Sequence, residues 1–416
     1  SDVGFCLMSA AFRAVVWRRP HPGVYPVDSV LYLRKWSADF LMGVSRTAVL
    51  PLYTTLYLPP WLRLLGARVG ARAELSTVSQ ISPEGLDIGE ESFLADGVVI
   101  GRRRMFAGCF QMDVNRIGRR TFVGNNALMP VGASLGPTSL LGVLSTPPAG
   151  GVAEGGGMDW LGSPAFRLPA RLKVGGFSDD ELFRPSRGTY ARRLLVDGIR
   201  IVAPGIITTS GLIGFVAAAH GVYLWLGIPG LVASLPILSF GVAMLEYLAV
   251  VVMKLAFMGR FRPVVKPLWS PYVWLNEAVN GSYETVAVGA LASLLGTPFI
   301  GPLLRLLGCK VGRRVFLASI LFSEFDLIEI GDHAAVNLGA VLQTHLFEDR
   351  IMKSSFVRVE DECAIGNHAV VLYDTRLQRG SKVAPLSLVM KGEVLPPFTS
   401  WGGIPIGSRA TASAQP

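Results

Sequence analysis

The feature that most limits how this chain can fold is a period of six. Ile330, Val336 and Leu342 each open a hexad, and small residues, Ala334 and Ala340, stand at the fifth place. Val359, Ile365, Val371, Leu377, Val383 and Val389 continue the series, with Cys363, Ala369, Thr375, Ser381 and Ser387 fifth. Such periodicity specifies a parallel β-helix, in which the aliphatic opener points to the axis and three hexads complete one triangular coil. A small fifth residue is expected to let the chain turn each corner.

A second series lies upstream. Ile88, Leu94 and Ile100 are followed by Ile117, Val123, Met129, Leu135 and Leu141, with Ser92, Thr121, Ala127, Ser139 and Ser145 among the fifth-place residues. The two series are copies. LRLLGARVG at Leu62 returns as LRLLGCKVG at Leu304, and Gly312, Gly331 and Gly366 each stand 242 residues after Gly70, Gly89 and Gly124. The copy reaches further back, because PGVYPVDS at Pro22 resembles PVVKPLWS at Pro263.

Between the copies lie the most apolar segments, Ile201 to Leu226 and Ile228 to Leu255. Each is long enough to span a bilayer with some tilt. The composition agrees, being half hydrophobic and 17% charged, with a mean hydropathy of +0.44. That is too apolar for a purely soluble enzyme. The net charge of +9 comes from residues such as Arg192, Arg193, Arg200, Lys254, Arg260, Arg262 and Lys266, which flank the apolar segments. Membrane orientation accounts for them better than nucleic acid does, and puts both outer ends of the hairpin in the cytosol. His220 and Glu246 sit inside the spans and mark either a polar pathway or a pairing near an interface. The four cysteines have neither zinc-site nor disulfide spacing, and Cys363 reads as packing.

The expected order is therefore the end of a membrane helix at 1–20 whose first half lies upstream, interfacial helices at 21–66, and a first β-helix at 67–148. A glycine-rich linker at 149–196, two membrane helices at 197–258 and interfacial helices at 259–306 follow. A second β-helix at 307–407 and a tail at 408–416 complete the chain. The fold class is mainly β with transmembrane α: two tandem β-helices separated by a helical hairpin.

The hexads break once in each copy, between Ile100 and Ile117 and between Leu342 and Val359, both 17 residues apart. Since 17 is not a multiple of six, a loop must leave the coil at the same point in both. Loops on a rigid scaffold are favoured places for function. The second loop opens with Gln343, Thr344 and His345, followed by Glu348 and Asp349; the first opens with Gly101, Arg102 and Arg103. Only the second offers an imidazole that is neutral near pH 7. His345 is the candidate general base for an amine or hydroxyl attacking a thioester. Glu348 or Asp349 is the expected partner fixing its tautomer, and Gln343 and Thr344 are candidate substrate contacts. Arg102 and Arg103 are placed to hold a phosphate or to form a solvated corner. His333, His345 and His368 all fall at the fourth place of a hexad, which raises zinc as an alternative. No acidic or amide partners recur with them, so no metal is assigned.

These hexads, the loop and His345 resemble the hexapeptide-repeat acyltransferases. That resemblance implies left-handed β-helices, a loop histidine acting as base, acyl donors on CoA or carrier thioesters, and sites formed in trimers. A narrower resemblance rests on MDWLGSPAF at Met158, RPSR at Arg184, GAVLQTHLFEDRIMK at Gly339 and SLVMKGEVLPP at Ser387. With two hexapeptide domains alternating with membrane helices, the chain resembles the membrane-embedded C-terminal region of ε-poly-lysine-synthetase-like non-ribosomal peptide synthetases. The resemblance implies upstream adenylation and carrier domains as partners, and a bacterial-type cytoplasmic membrane as location, with the β-helices on the cytosolic side. It also implies a phosphopantetheine thioester as the donor, no cofactor bound by this region, and an amine acceptor joined in an isopeptide polymer. A pseudo-trimer implies a third β-helix copy upstream or a homo-oligomer. Two other readings remain open, a stand-alone membrane acyltransferase using CoA and a non-catalytic membrane scaffold for a carrier domain or for product export.

Overall fold

The computed structural model describes residues 2–16, 21–148, 152–153, 156–169 and 176–409. Two compact units divide the chain: residues 1–194 with Glu348–Arg350, and residues 195–347 with 351–416. The expected tail lies almost wholly outside the described residues, as do residues 17–20 of the first expected segment.

In unit 2 the chain visits three parallel sheets in rotation, so that strands one coil apart pair side by side. Val311 pairs with Ile330, Ile330 with Val359, Val359 with Leu377 and Leu377 with Leu395. The hexad openers are thus stacked in columns, all within 7% of full burial. Unit 1 repeats this, with Val69, Ile88, Ile117 and Leu135 in one column. Three walls of strands around an aliphatic axis make a parallel β-helix.

The corners are built differently from the expectation. It is the fourth residue that turns the chain, by adopting a left-handed backbone: Glu91, Arg120, Asn126, His333, Glu362 and His368 all have φ between 53° and 61°. The fifth residue is small because it points inward under the next coil. Ser92 and Thr121 there are buried and donate to the carbonyls of Gly118 and Gly136, each at 2.7 Å. His333 and His368 are corner residues, and among the described residues no group of three or more potential metal ligands is assembled.

The glycine-rich stretch is not simply a tether, as the linker at 149–196 had been expected to be. Val152–Ala153 pairs with Ser134–Leu135, and Asp159–Leu161 pairs with Leu140–Leu141, so the first coil continues past 148. It ends in an antiparallel hairpin between Asp159–Leu161 and Phe166–Arg167; the second coil ends likewise, with Ser400–Gly402 against Gly407–Arg409. Backbone pairing, which depends little on side-chain size, lets this stretch extend the walls.

Ahead of each coil stand the helices. In unit 1, Val30–Ala48 starts at Ser29, whose hydroxyl accepts from the Tyr32 amide. Leu33, Trp36, Phe40 and Val44 form an exposed apolar stripe along it at helical spacing. In unit 2, Pro271–Ser282 begins with Ser270 and Pro271, the residue types that favour a helix start. The longest helix, Arg187–Phe257, breaks at Gly227, where φ is 65° and ψ −166°. Its two arms come together, because a Cβ on Gly211 would meet the Glu246 carboxylate. Glu246 therefore packs against the opposite arm, whereas His220 is exposed.

Several of the flanking cations form ion pairs with acids of their own unit. Lys254 is 1% exposed and pairs with Asp326 at 2.6 Å; Arg200 pairs with Glu277 at 3.1 Å; Arg193 pairs with Glu74 at 3.0 Å. The copy-one counterpart of the Lys254 pair is Arg13 on Glu84, at 2.5 Å. In each repeat a cation near the end of an apolar helix is tied to an acid on the β-helix.

Close coil stacking makes a sharp test. A Cβ on Gly331 would stand 2.6 Å from the Asp361 amide nitrogen, so the backbone would have to move. Gly331→Ala is expected to cost roughly 1–3 kcal/mol through overpacking. Gly407→Ala, with nothing within 4 Å, is expected to leave the thermal midpoint unchanged.

Candidate active site

The loop that leaves the second coil is a β-hairpin, His345–Glu348 with Ile351–Ser354, and Val264–Pro267 adds a third strand to it. Asp349 and Arg350 form its two-residue turn with φ of 50° and 63°. Positive φ at both central residues suits the twist of a hairpin. The copy-one hairpin, Arg104–Phe106 with Cys109–Met112, turns at Ala107 and Gly108 in the same manner.

His345, unlike His333 and His368, is not in a left-handed corner; it begins a strand. Leu342, Thr344 and Leu346 are buried, while Gln343, His345 and Phe347 are half-buried on the alternate face. The Phe347 ring meets the imidazole edge-on at 5.6 Å.

The partner of the imidazole is Glu324. His345 Nδ1 lies 2.8 Å from Glu324 Oε2, and the Glu324 side chain is fully buried. Thr344 donates to the same oxygen at 2.5 Å. Asn276 and Asn280 donate to Oε1 at 2.6 and 3.2 Å. Those two asparagines are four apart on Pro271–Ser282 and so share one helix face. Ser323 Oγ sits 3.0 Å from the Thr344 hydroxyl and 3.4 Å from Nδ1.

Burial alone pushes the Glu324 carboxyl up, but the His345 charge and the hydrogen bonds from His345, Thr344 and Asn276 outweigh it and hold it at about 2. The group is an anion at every physiological pH. An ionised carboxylate only accepts, so Nδ1 must carry a proton, and when the imidazole is neutral the lone pair falls on Nε2. Glu324 also has a left-handed backbone, φ 38° and ψ 61°. Such a conformation costs a non-glycine residue about 1–2 kcal/mol, as it does at the corners of the coils.

The orienting acid is therefore not Glu348 or Asp349. Strand alternation puts Glu348 on the face opposite His345, and Asp349 is committed to the turn. Of the other expected residues, Thr344 holds Glu324, Gln343 shares the open face with His345, and Arg102 and Arg103 belong to unit 1. Sequence reading missed Glu324, Asn276 and Asn280. A signal was present: the residue 242 before Glu324 is Ser82, and the residue 242 before His345 is Arg103, so acid and base differ together between the copies.

The chain is 36% identical over 404 residues to the delta-poly-L-ornithine synthetase of Acinetobacter baumannii (strain AB307-0294), a match covering 96% of this chain. This chain is similar, almost end to end, to part of a poly-amino-acid synthetase. It spans 30% of that relative's length. No family model matches. Among solved structures, a hexapeptide-repeat acetyltransferase of Vibrio cholerae aligns at 20% identity with a TM-score of 0.24, covering 29% of this chain and 82% of its own. A maltose O-acetyltransferase of Clostridium difficile 630 aligns at 15% identity with a TM-score of 0.25, covering 35% of this chain and 91% of its own.

The depressed Glu324 value fixes a pH window. An acid whose folded pKa lies below its ordinary value, here 4.5, stabilises the fold above that value, and the stability is lost as pH falls toward about 2. The advantage of wild type over Glu324→Gln in thermal midpoint is expected to shrink across that window, corresponding to on the order of 3 kcal/mol. A gap unchanged by acid would show that Glu324 is not held as an anion.

Proposed function

We propose that this chain is the amide-forming region of a peptide synthetase that builds a poly-amino acid, with His345 as its general base. The observation that carries the reading is the buried Glu324 carboxylate on Nδ1, which presets Nε2 as a proton acceptor. An amine acceptor attacks the carbonyl carbon of an aminoacyl thioester, the new C–N bond forms, and the C–S bond breaks. Nε2 takes the proton from the attacking nitrogen and returns it to the departing thiolate. Positioned proton transfer of this kind contributes about 10²- to 10⁴-fold.

The donor is written as a substrate, a phosphopantetheine thioester brought by a carrier domain of the same polypeptide, and the similarity to a poly-ornithine synthetase favours this over CoA. Gln343, on the face shared with His345, is assigned to substrate contact. The coils are assigned the left-handed winding of hexapeptide-repeat enzymes. The arms on either side of Gly227 are assigned as two spans in a cytoplasmic membrane, supported by lipid-compatible exposure of Leu212, Val216, Trp225, Ile237 and Phe240. The exposed cations Arg192, Arg260, Arg262 and Lys266 favour cytosolic ends. The apolar stripe of Val30–Ala48 supports an interfacial position for that helix.

With the full-length synthetase in detergent, a loaded carrier and a free amino acid, His345→Ala is expected to lower the rate of dimer formation about 10²- to 10⁴-fold while carrier loading is unchanged. Glu324→Gln is expected to fall in the same range. Its amide oxygen would stay with Asn276 and its NH₂ would donate to Nδ1, forcing the proton onto Nε2. Wild-type rates in both variants would move the chemistry elsewhere. A cysteine at Trp225 is expected to react with an impermeant thiol reagent from outside intact cells, and one at Arg260 only after permeabilisation; the reverse pattern would invert the assigned topology.

A further inference from the structure

Unit 1 has its own version of the site, and the charges there are exchanged. Ser82 and Arg103 take the positions of Glu324 and His345, and Lys35 and Asp39, each 241 residues earlier, take those of Asn276 and Asn280. Where unit 2 buries a carboxylate, unit 1 buries an ammonium. Lys35, 1% exposed, pairs with Asp39 and with Glu84 at 2.6 Å, and donates to Ser82 Oγ at 2.8 Å. Arg103 pairs with Asp39, and its guanidinium stands 5.3 Å from the centroid of the Tyr32 ring. Ser82 has an extended backbone, φ −113°, in place of the left-handed one at Glu324. A guanidinium stays charged at any working pH, so Arg103 cannot take the role of a base.

What remains is a pocket of about 240 Å³. That is below the range for drug-sized ligands and suits a molecule of single-amino-acid size. Its cationic side is Arg46, Arg102 and Arg103, and its apolar side includes Met42, Val78, Ile81 and Met105. Asp39 is the one acid among the lining residues, and Lys35 and Arg103 already engage it. Arg46 and Arg102 are exposed. Arg46 is steadied by a 3.0 Å bond to the Ser79 carbonyl, which leaves most of its donors unused.

We propose that this pocket binds a small carboxylate-bearing molecule, with the carboxylate held by Arg102 and Arg46 and the aliphatic portion against Met42, Val78, Ile81 and Met105. A planar monoanion matches the guanidinium fork. A phosphate dianion has no use for the apolar wall and would meet the Asp39 charge at greater cost. Copy one is on this view a binding site, and its assignment does not depend on the chemistry of His345.

The test is calorimetric titration of the whole protein in detergent with hexanoate, hexanamide and inorganic phosphate. Hexanoate is expected to bind at one site, more weakly as salt is raised, and hexanamide at least tenfold more weakly. Arg46→Gln/Arg102→Gln is expected to lose hexanoate affinity at least tenfold with an unchanged thermal midpoint. Gly43→Trp, which puts a bulky ring where a Cβ meets nothing within 4 Å at the pocket's lining, is expected to block binding. His345→Ala is expected to bind hexanoate as wild type does, separating this site from the histidine. Absence of hexanoate binding would overturn the proposal. So would equal affinity for the amide, full binding by the arginine variant or by Gly43→Trp, or displacement by phosphate at lower concentration than hexanoate.

Discussion

The structure depends on coil-to-coil register. Ile330 must lie beside Val359 for the next opener to fall in the column, and each coil is held to its neighbours by backbone hydrogen bonds that leave no freedom to slip. A residue added inside a coil would turn every later side chain to the wrong face. Insertions are therefore tolerated only where the chain can leave and return to the same column. Each copy does this once, by a hairpin that carries the loop out from one wall and brings it back at Ile117 or Val359. The active-site candidate occupies the first residue of that excursion, where a side chain is fixed by the wall behind it yet released from the regular corner.

A second constraint acts on that point. An anion buried as completely as Glu324 is costly unless every lone pair is used. The fold supplies donors from two places, the loop through Thr344 and His345 and the helix through Asn276 and Asn280, and a left-handed backbone aims the carboxylate inward. Losing one donor would leave the others holding a misplaced charge, so the network acts as a unit. Its consequence for chemistry is the tautomer of His345. Its consequence for stability is dependence on acid pH.

Duplication made two such positions and they have diverged around a shared frame. The ion pair anchoring an apolar helix to the coil is kept, as Arg13 with Glu84 and Lys254 with Asp326. The hairpins, their turns and the closing antiparallel strands are also kept. The inner polar cluster is not: amides around a carboxylate in one copy correspond to an ammonium between two acids in the other. Exchange of the central charge changes what each site can do without altering the scaffold, because both clusters satisfy their own charges.

By itself the sequence determined the period of six, the duplication at a spacing of 242, the single interruption in each copy and the presence of a histidine at one of them. These are legible because stacking in a β-helix is a local, repeated demand, met by residues at fixed separations. Only the tertiary structure decided which acid serves His345. Glu324 is 21 residues away and Asn276 is 48 from Glu324, distances set by how a helix and two coils pack rather than by any short spacing. The nearer acids, Glu348 and Asp349, were excluded by strand alternation and by the turn. Tertiary structure likewise drew Arg193, Arg200 and Lys254 into buried ion pairs and paired a glycine-rich stretch into the walls. A positive charge or a glycine reads the same in a sequence whether it meets water, lipid or a buried acid, and only the neighbours brought by folding distinguish these.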